Sequence, residues 1–115
     1  MEQVRAVARF IPMAPRKVRL VVDTVRGLKA DDALAALSFM SKAAALPVYK
    51  AIRSAIGNAE EAGLNRNDLV VTEICADEGP RRTWRRFGAR GRFKPIIKRS
   101  SHITVVLTET PQIGA

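Results

Sequence analysis

The chain has 115 residues, enough for one hydrophobic core and too few for two, and carries 20 Lys and Arg against 11 Asp and Glu, a formal net charge of +9. Its single cysteine excludes an intrachain disulfide and points to a reducing compartment, and its single histidine excludes a metal site built on paired imidazoles, so no metal or cofactor is expected. No apolar run approaches the roughly 18 residues of a membrane span and the opening MEQVRAVARF has no signal-peptide core; the expected setting is cytoplasmic, or an equivalent organelle interior, with no membrane partner.

Residues 4–10, VRAVARF, place Val4, Ala6, Ala8 and Phe10 on one side and Arg5, Val7 and Arg9 on the other, the pattern of an amphipathic strand. Pro12 and Pro15 end it, and Pro15 suits the first turn of a helix, where its missing N–H would have had no partner. Over residues 16–26, Val18, Val21, Val22 and Val25 recur at helical spacing until Gly27 closes the helix. Asp31 or Asp32 can cap a short second helix bearing Ala33, Leu34, Leu37 and Met40. Ser41 can cap a third, striped by Val48, Ile52, Ile56 and Ala59, in which Pro47 requires either a kink or a later start. Beyond Gly63 the period changes to two: Val70, Thr72, Ile74 and Ala76 alternate with Leu69, Val71, Glu73 and Cys75, and Ile103, Val105 and Leu107 alternate with His102, Thr104, Val106 and Thr108.

Between these last two strands lies GPRRTWRRFGARGRFKPIIKRSSH, residues 79–102. It holds nine Lys or Arg, no acid, and Trp84, Phe87 and Phe93; the remainder of the chain has eleven bases and eleven acids and is neutral. A disordered tail is terminal and poor in bulky residues, whereas this run is internal and rich in them. A structureless connector of that length is improbable inside a compact domain, so both strands are extended into it as a hairpin turning near residues 88–91, with a reach of about 35 Å at roughly 3.3 Å per residue. The predicted fold is α+β: three helices packed on a small three-stranded antiparallel sheet, with a long protruding β-hairpin, in a single domain over 1–115 whose arm is 79–102. The expected core draws on Val21, Val25, Leu34, Leu37, Ile52, Ile56, Ile74, Ile103 and Val105.

Catalytic constellations are sparse. Cys75 and His102 could form a nucleophile pair only at a shared pocket, and GARGR lacks the GK[ST] ending of a phosphate loop. Nucleic-acid binding fits far better, because guanidinium forks match phosphate oxygens and aromatic faces stack on bases. The candidate contacts in the arm are Arg81, Arg82, Trp84, Arg85, Arg86, Arg92, Lys94, Lys98 and Arg99, with His102 beyond it. A second patch comprises Arg5 and Arg9 on the first strand and Arg16, Lys17 and Arg19 opening the first helix, where cations are electrostatically disfavoured unless an external anion offsets them. An architectural DNA-binding protein is the alternative, but such basic β-arms act in pairs on dimers, and no helical stripe is left over for a dimer interface, so the free chain is expected to be a monomer.

APRKVRLVVDTVRG (14–27), SAIGNAEEAG (54–63), EICADEGP (73–80) and KRSSHITVVLTE (98–109) resemble, in order and spacing, the signature segments of the large-subunit ribosomal protein twenty-two family, over residues 3–109. The resemblance implies a non-catalytic protein that binds large-subunit ribosomal RNA beside neighbouring ribosomal proteins and supports assembly. It also implies a hairpin whose tip, here Phe87, Gly88, Ala89, Arg90 and Gly91, reaches the wall of the exit tunnel and meets the nascent peptide. Family members often carry Pro-Arg at Phe87 and Gly88, Ala at Phe93, a basic residue at Pro95, Ser at Ala14 and Ala at Gly57.

Overall fold

The computed structural model describes residues 2–79, 82–87 and 93–110, with 82–87 and 93–98 followed along their backbone. Strand β1 (Gln3–Ile11) leads into helices α1 (Pro15–Val25), α2 (Ala30–Ser38) and α3 (Ala45–Glu61). A 3₁₀ turn (Arg66–Asp68) then opens β2 (Leu69–Glu78), followed by β3 (Arg82–Phe87), β4 (Phe93–Lys98) and β5 (Ser101–Glu109). The body sheet is antiparallel in the order β1-β5-β2, so the last strand is central. Flanked on both sides, β5 buries Thr104 and Thr108 as well as Ile103, Val105 and Leu107. Helix α1 packs on β2, α3 lies across β1 and β5, and α2 packs on α3. Three helices on a three-stranded antiparallel sheet are the α+β arrangement expected.

The helix boundaries follow from what satisfies their first N–H groups. Pro15 occupies the first position of α1 behind an extended Ala14 that supplies no side-chain cap, and Gly27 adopts φ +86° just past the other end. Helix α2 corrects the expected aspartate cap: it starts after Lys29, with Asp31 and Asp32 inside the first turn, where the helix dipole favours acids. There Asp31 accepts a 2.9 Å hydrogen bond from Arg66 Nε, which raises the arginine's pKa further. Ser41 caps nothing. Helix α3 starts at Ala45, placing Pro47 in the first turn where no N–H is required, so the later start replaces the kink.

The core is one cluster. It contains every expected member except Leu34, which is only partly buried at its rim, and adds Val18, Val22, Val48, Leu69, Val71 and Leu107. Buried Ala30, Ala33, Ala51, Ala55 and Ala59 let the helices approach closely.

Two bulges overturn the simple alternation read from the strands. In β2 the register shifts between Val71 and Glu73, so Leu69 and Val71 are buried together with Ile74 and Ala76. The Thr72 hydroxyl holds the bulge, donating to the Val106 carbonyl at 3.3 Å and lying 2.8 Å from Thr108 Oγ1. In β1 the shift falls between Ala8 and Ile11. Phe10 consequently leaves the side of Val4, Ala6 and Ala8, adopts φ +58°, and is 64% exposed.

Strands β3 and β4 form their own two-stranded sheet, from Arg82 opposite Lys98 to Phe87 opposite Phe93. The molecule extends 70 × 25 × 16 Å with a radius of gyration of 17.5 Å, against about 13 Å for a compact chain of this length. The protruding hairpin accounts for the difference.

Candidate nucleic-acid interface

The arm is cationic in a way that its own pairing does not stabilise. Its register sets Arg82 opposite Lys98 and Arg86 opposite Lys94, and like charges directly opposite one another in an antiparallel pair are destabilising. A bound polyanion removes that cost. Trp84 opposite Ile96 and Phe87 opposite Phe93 are pairings of the kind that support a hairpin. Of the other residues assigned to the arm, Arg81, Gly88, Ala89, Arg90, Gly91 and Arg92 lie outside the described residues.

The arm joins the body at a neck built by backbone contacts. The Gly79 N–H donates to the Ser100 carbonyl at 2.9 Å. A Cβ on Gly79 would lie 2.5 Å from Ser100 Oγ and 3.3 Å from the His102 ring, so any larger residue would have to displace the Ser100 hydroxyl. His102 Nδ1 accepts a 3.0 Å hydrogen bond from the Phe10 N–H, and the two rings meet edge to face with centroids 5.0 Å apart. The Ser101 hydroxyl donates to the Met13 carbonyl at 2.6 Å, tying the approach to α1 to the same end of the sheet.

That tie places the N-terminus of α1, with exposed Arg16 and Lys17, at the end of the body from which the arm departs. Neither a side-chain cap nor an acid occupies its first turn. Pro15 has no N–H and the Lys17 N–H donates to the Ala14 carbonyl at 3.1 Å, so the Arg16 N–H and the two exposed cations are what the helix start offers an anion. Exposed Arg9 precedes Phe10 at the neck and Arg99 lies beside Ser100. Arg5 sits farther away on the open face, opposite Val106. Arg19 is drawn aside, its Nε donating to the Ala76 carbonyl at 3.0 Å. The structure therefore gathers Arg9, Arg16, Lys17, Arg99 and His102 near the arm's base and leaves Arg5 and Arg19 as outliers.

The nucleophile-pair alternative finds no support in these contacts. His102 is engaged by Phe10, and Cys75 Sγ lies 4.0 Å from Asp77 Oδ2. Sequence reasoning missed the neck roles of Phe10 and Gly79; the only cue was a glycine ending a long strand. It also gave no reading of Phe39 and Leu46, which are 90% and 58% exposed.

Together, body and arm define a class: a small α+β protein that carries a cationic β-hairpin on a helix-covered sheet. The family model described as "Ribosomal protein L22p/L17e" matches residues 6–108, and the chain belongs to this family. Among similar proteins, the large ribosomal subunit protein uL22 of Desulfosudis oleivorans is 47% identical over 95% of this chain and 96% of its own length. That of Desulfitobacterium hafniense strain DCB-2 is 47% identical with the same coverage, and that of a Synechococcus strain is 49% identical over 91% of this chain and 86% of its own.

Proposed function

We propose that this chain is a structural, RNA-binding component of the large ribosomal subunit, with no catalytic activity, cofactor or metal. It acts in the cytoplasm, beside neighbouring ribosomal proteins, and is a monomer when free. The body anchors on ribosomal RNA through Arg5, Arg9, Arg16, Lys17 and Arg19. The shaft of the arm anchors through Arg81, Arg82, Arg85, Arg86, Arg92, Lys94, Lys98 and Arg99, while Trp84 stacks on an unpaired base and His102 adds a contact at the neck. The tip, Phe87 with residues 88–91, lines the exit tunnel and meets the nascent peptide; Gly88 and Gly91 suit a tight turn that leaves the channel open.

The observation that carries this reading is the arm's like-against-like register, in a molecule extended to 70 Å. A hairpin of that charge and reach suits a partner that is itself polyanionic and deep. Family membership supplies the identity of that partner. Deleting residues 86–90 from the only gene copy tests it: the protein should still enter the large subunit, while stalling on arrest-prone nascent chains or sensitivity to tunnel-binding antibiotics changes. Normal occupancy with unchanged stalling and drug response removes the tunnel role, and failed occupancy makes the tip an anchor.

A further inference from the structure

The two outer edges of the body sheet are treated differently. On β2 the carbonyls of Val71, Ile74 and Ala76 and the N–H of Val71 are covered from outside the sheet. Val71 exchanges hydrogen bonds with the backbone of Gly27 and Leu28, the Ile74 carbonyl accepts from Arg26, and the Ala76 carbonyl accepts from Arg19, all at 2.8–3.0 Å. The β1 edge has one such cover: Asn58 Nδ2 donates to the Arg5 carbonyl at 3.2 Å. That bond fixes which groups face outward. Glu2 directs its carbonyl toward β5, where it accepts from the Glu109 N–H, so the alternate residues Arg5 and Val7, ahead of the bulge, direct theirs away. Past Asn58, no protein group among the described residues meets the outward N–H and C=O of Val7.

Beside this open stretch lies an apolar groove of about 370 Å³ between β1 and α3, whose walls include Ala8, Met13, Leu46 and Ala51, with Val7 44% and Leu46 58% exposed. An uncovered edge beside an apolar trough is the geometry by which a protein accepts a strand from another chain.

We propose that the β1 edge and this groove form a docking site for an extended segment of another polypeptide whose alternate residues are acidic and apolar. Alternation follows from the pleat. Residues of an added strand on the open face of the sheet meet Arg5 and Arg9, and those between them enter the groove. The charge is one-sided, since neither residues 3–13 nor residues 45–58 contain an acid, while Lys50 lines the groove. A second copy of this chain is a poor occupant, because antiparallel self-pairing about Val7 sets Arg5 against Arg9 twice. Nucleic acid can neutralise the arginines but can neither continue the ladder nor fill the apolar wall.

The test uses the free full-length chain, so its outcome is independent of the ribosomal reading. The protein is titrated with a short peptide alternating valine and glutamate, and hydrogen exchange is followed amide by amide. The expected result is new protection at Arg5 and Val7, with binding weakened roughly fivefold by Val7→Pro, which removes one outward donor without touching the β1–β5 ladder. Leu46→Glu, at an exposed position, should weaken binding whether or not Val7→Pro folds. No binding, protection elsewhere, or equal binding of a valine–lysine peptide each overturns the proposal.

Discussion

Replacing Gly79 by Ala probes how the arm is attached. The added methyl would sit 2.5 Å from Ser100 Oγ and 3.3 Å from the His102 ring. Relief requires the Ser100 hydroxyl to rotate away, while His102 is held by Phe10 at 3.0 Å. Overpacking of this kind costs about 1–3 kcal/mol, offset by about 0.4–1 kcal/mol because alanine restricts the unfolded chain. The net expectation is destabilisation of about 1–2 kcal/mol, or a Tm lower by roughly 5–10 °C in a domain near this size. Urea unfolding of Gly79→Ala, Ser100→Gly and the double variant measures it, and removing the Ser100 hydroxymethyl should recover about 1 kcal/mol as coupling between the two sites. Wild-type stability for Gly79→Ala, or additive effects in the double variant, refutes the close-approach explanation of this glycine.

Gly57 lies in the interior of α3 with open space where a Cβ would go, so Gly57→Ala should raise stability by about 0.5–1 kcal/mol in urea unfolding. Ala14→Ser should add about 0.5–1 kcal/mol by capping α1, whose first turn has no side-chain acceptor; an unchanged denaturation midpoint would show that the turn is already satisfied. Deleting residues 82–94 and closing the gap with a short turn should leave cooperative thermal unfolding intact, since the described core is built from β1, β2, β5 and the helices.

The helices and the arm were legible because their signals are long. Val18, Val21, Val22 and Val25 repeat over a full helical stripe, and nine bases without an acid stand out against a neutral remainder. What escaped depends on single residues acting through tertiary contacts. The Thr72 bulge flips the phase of β2, yet its cause, a hydroxyl set against Val106 and Thr108, lies more than thirty residues away in sequence. Phe10 reads as sharing the strand side of Val4, Ala6 and Ala8 until the bulge turns it toward His102. Ser41 and Asp31 are good caps by type, but Pro47 sets the start of α3 later, and Asp31 is engaged by Arg66. The arm's charge was visible in the sequence, whereas its register, which sets basic residues opposite one another, became visible only with the backbone.

The central claim is that the arm's cations meet phosphate. Its most direct measurement is the salt dependence of binding to a large-subunit ribosomal RNA fragment, for the wild type and for a variant with Arg81, Arg82, Arg85 and Arg86 all replaced by Gln. Each neutralised phosphate contributes about 0.7–0.9 to the slope of log K against log salt, so four lost contacts should flatten it by roughly three units. An unchanged slope would place these arginines in solvent and contradict the account.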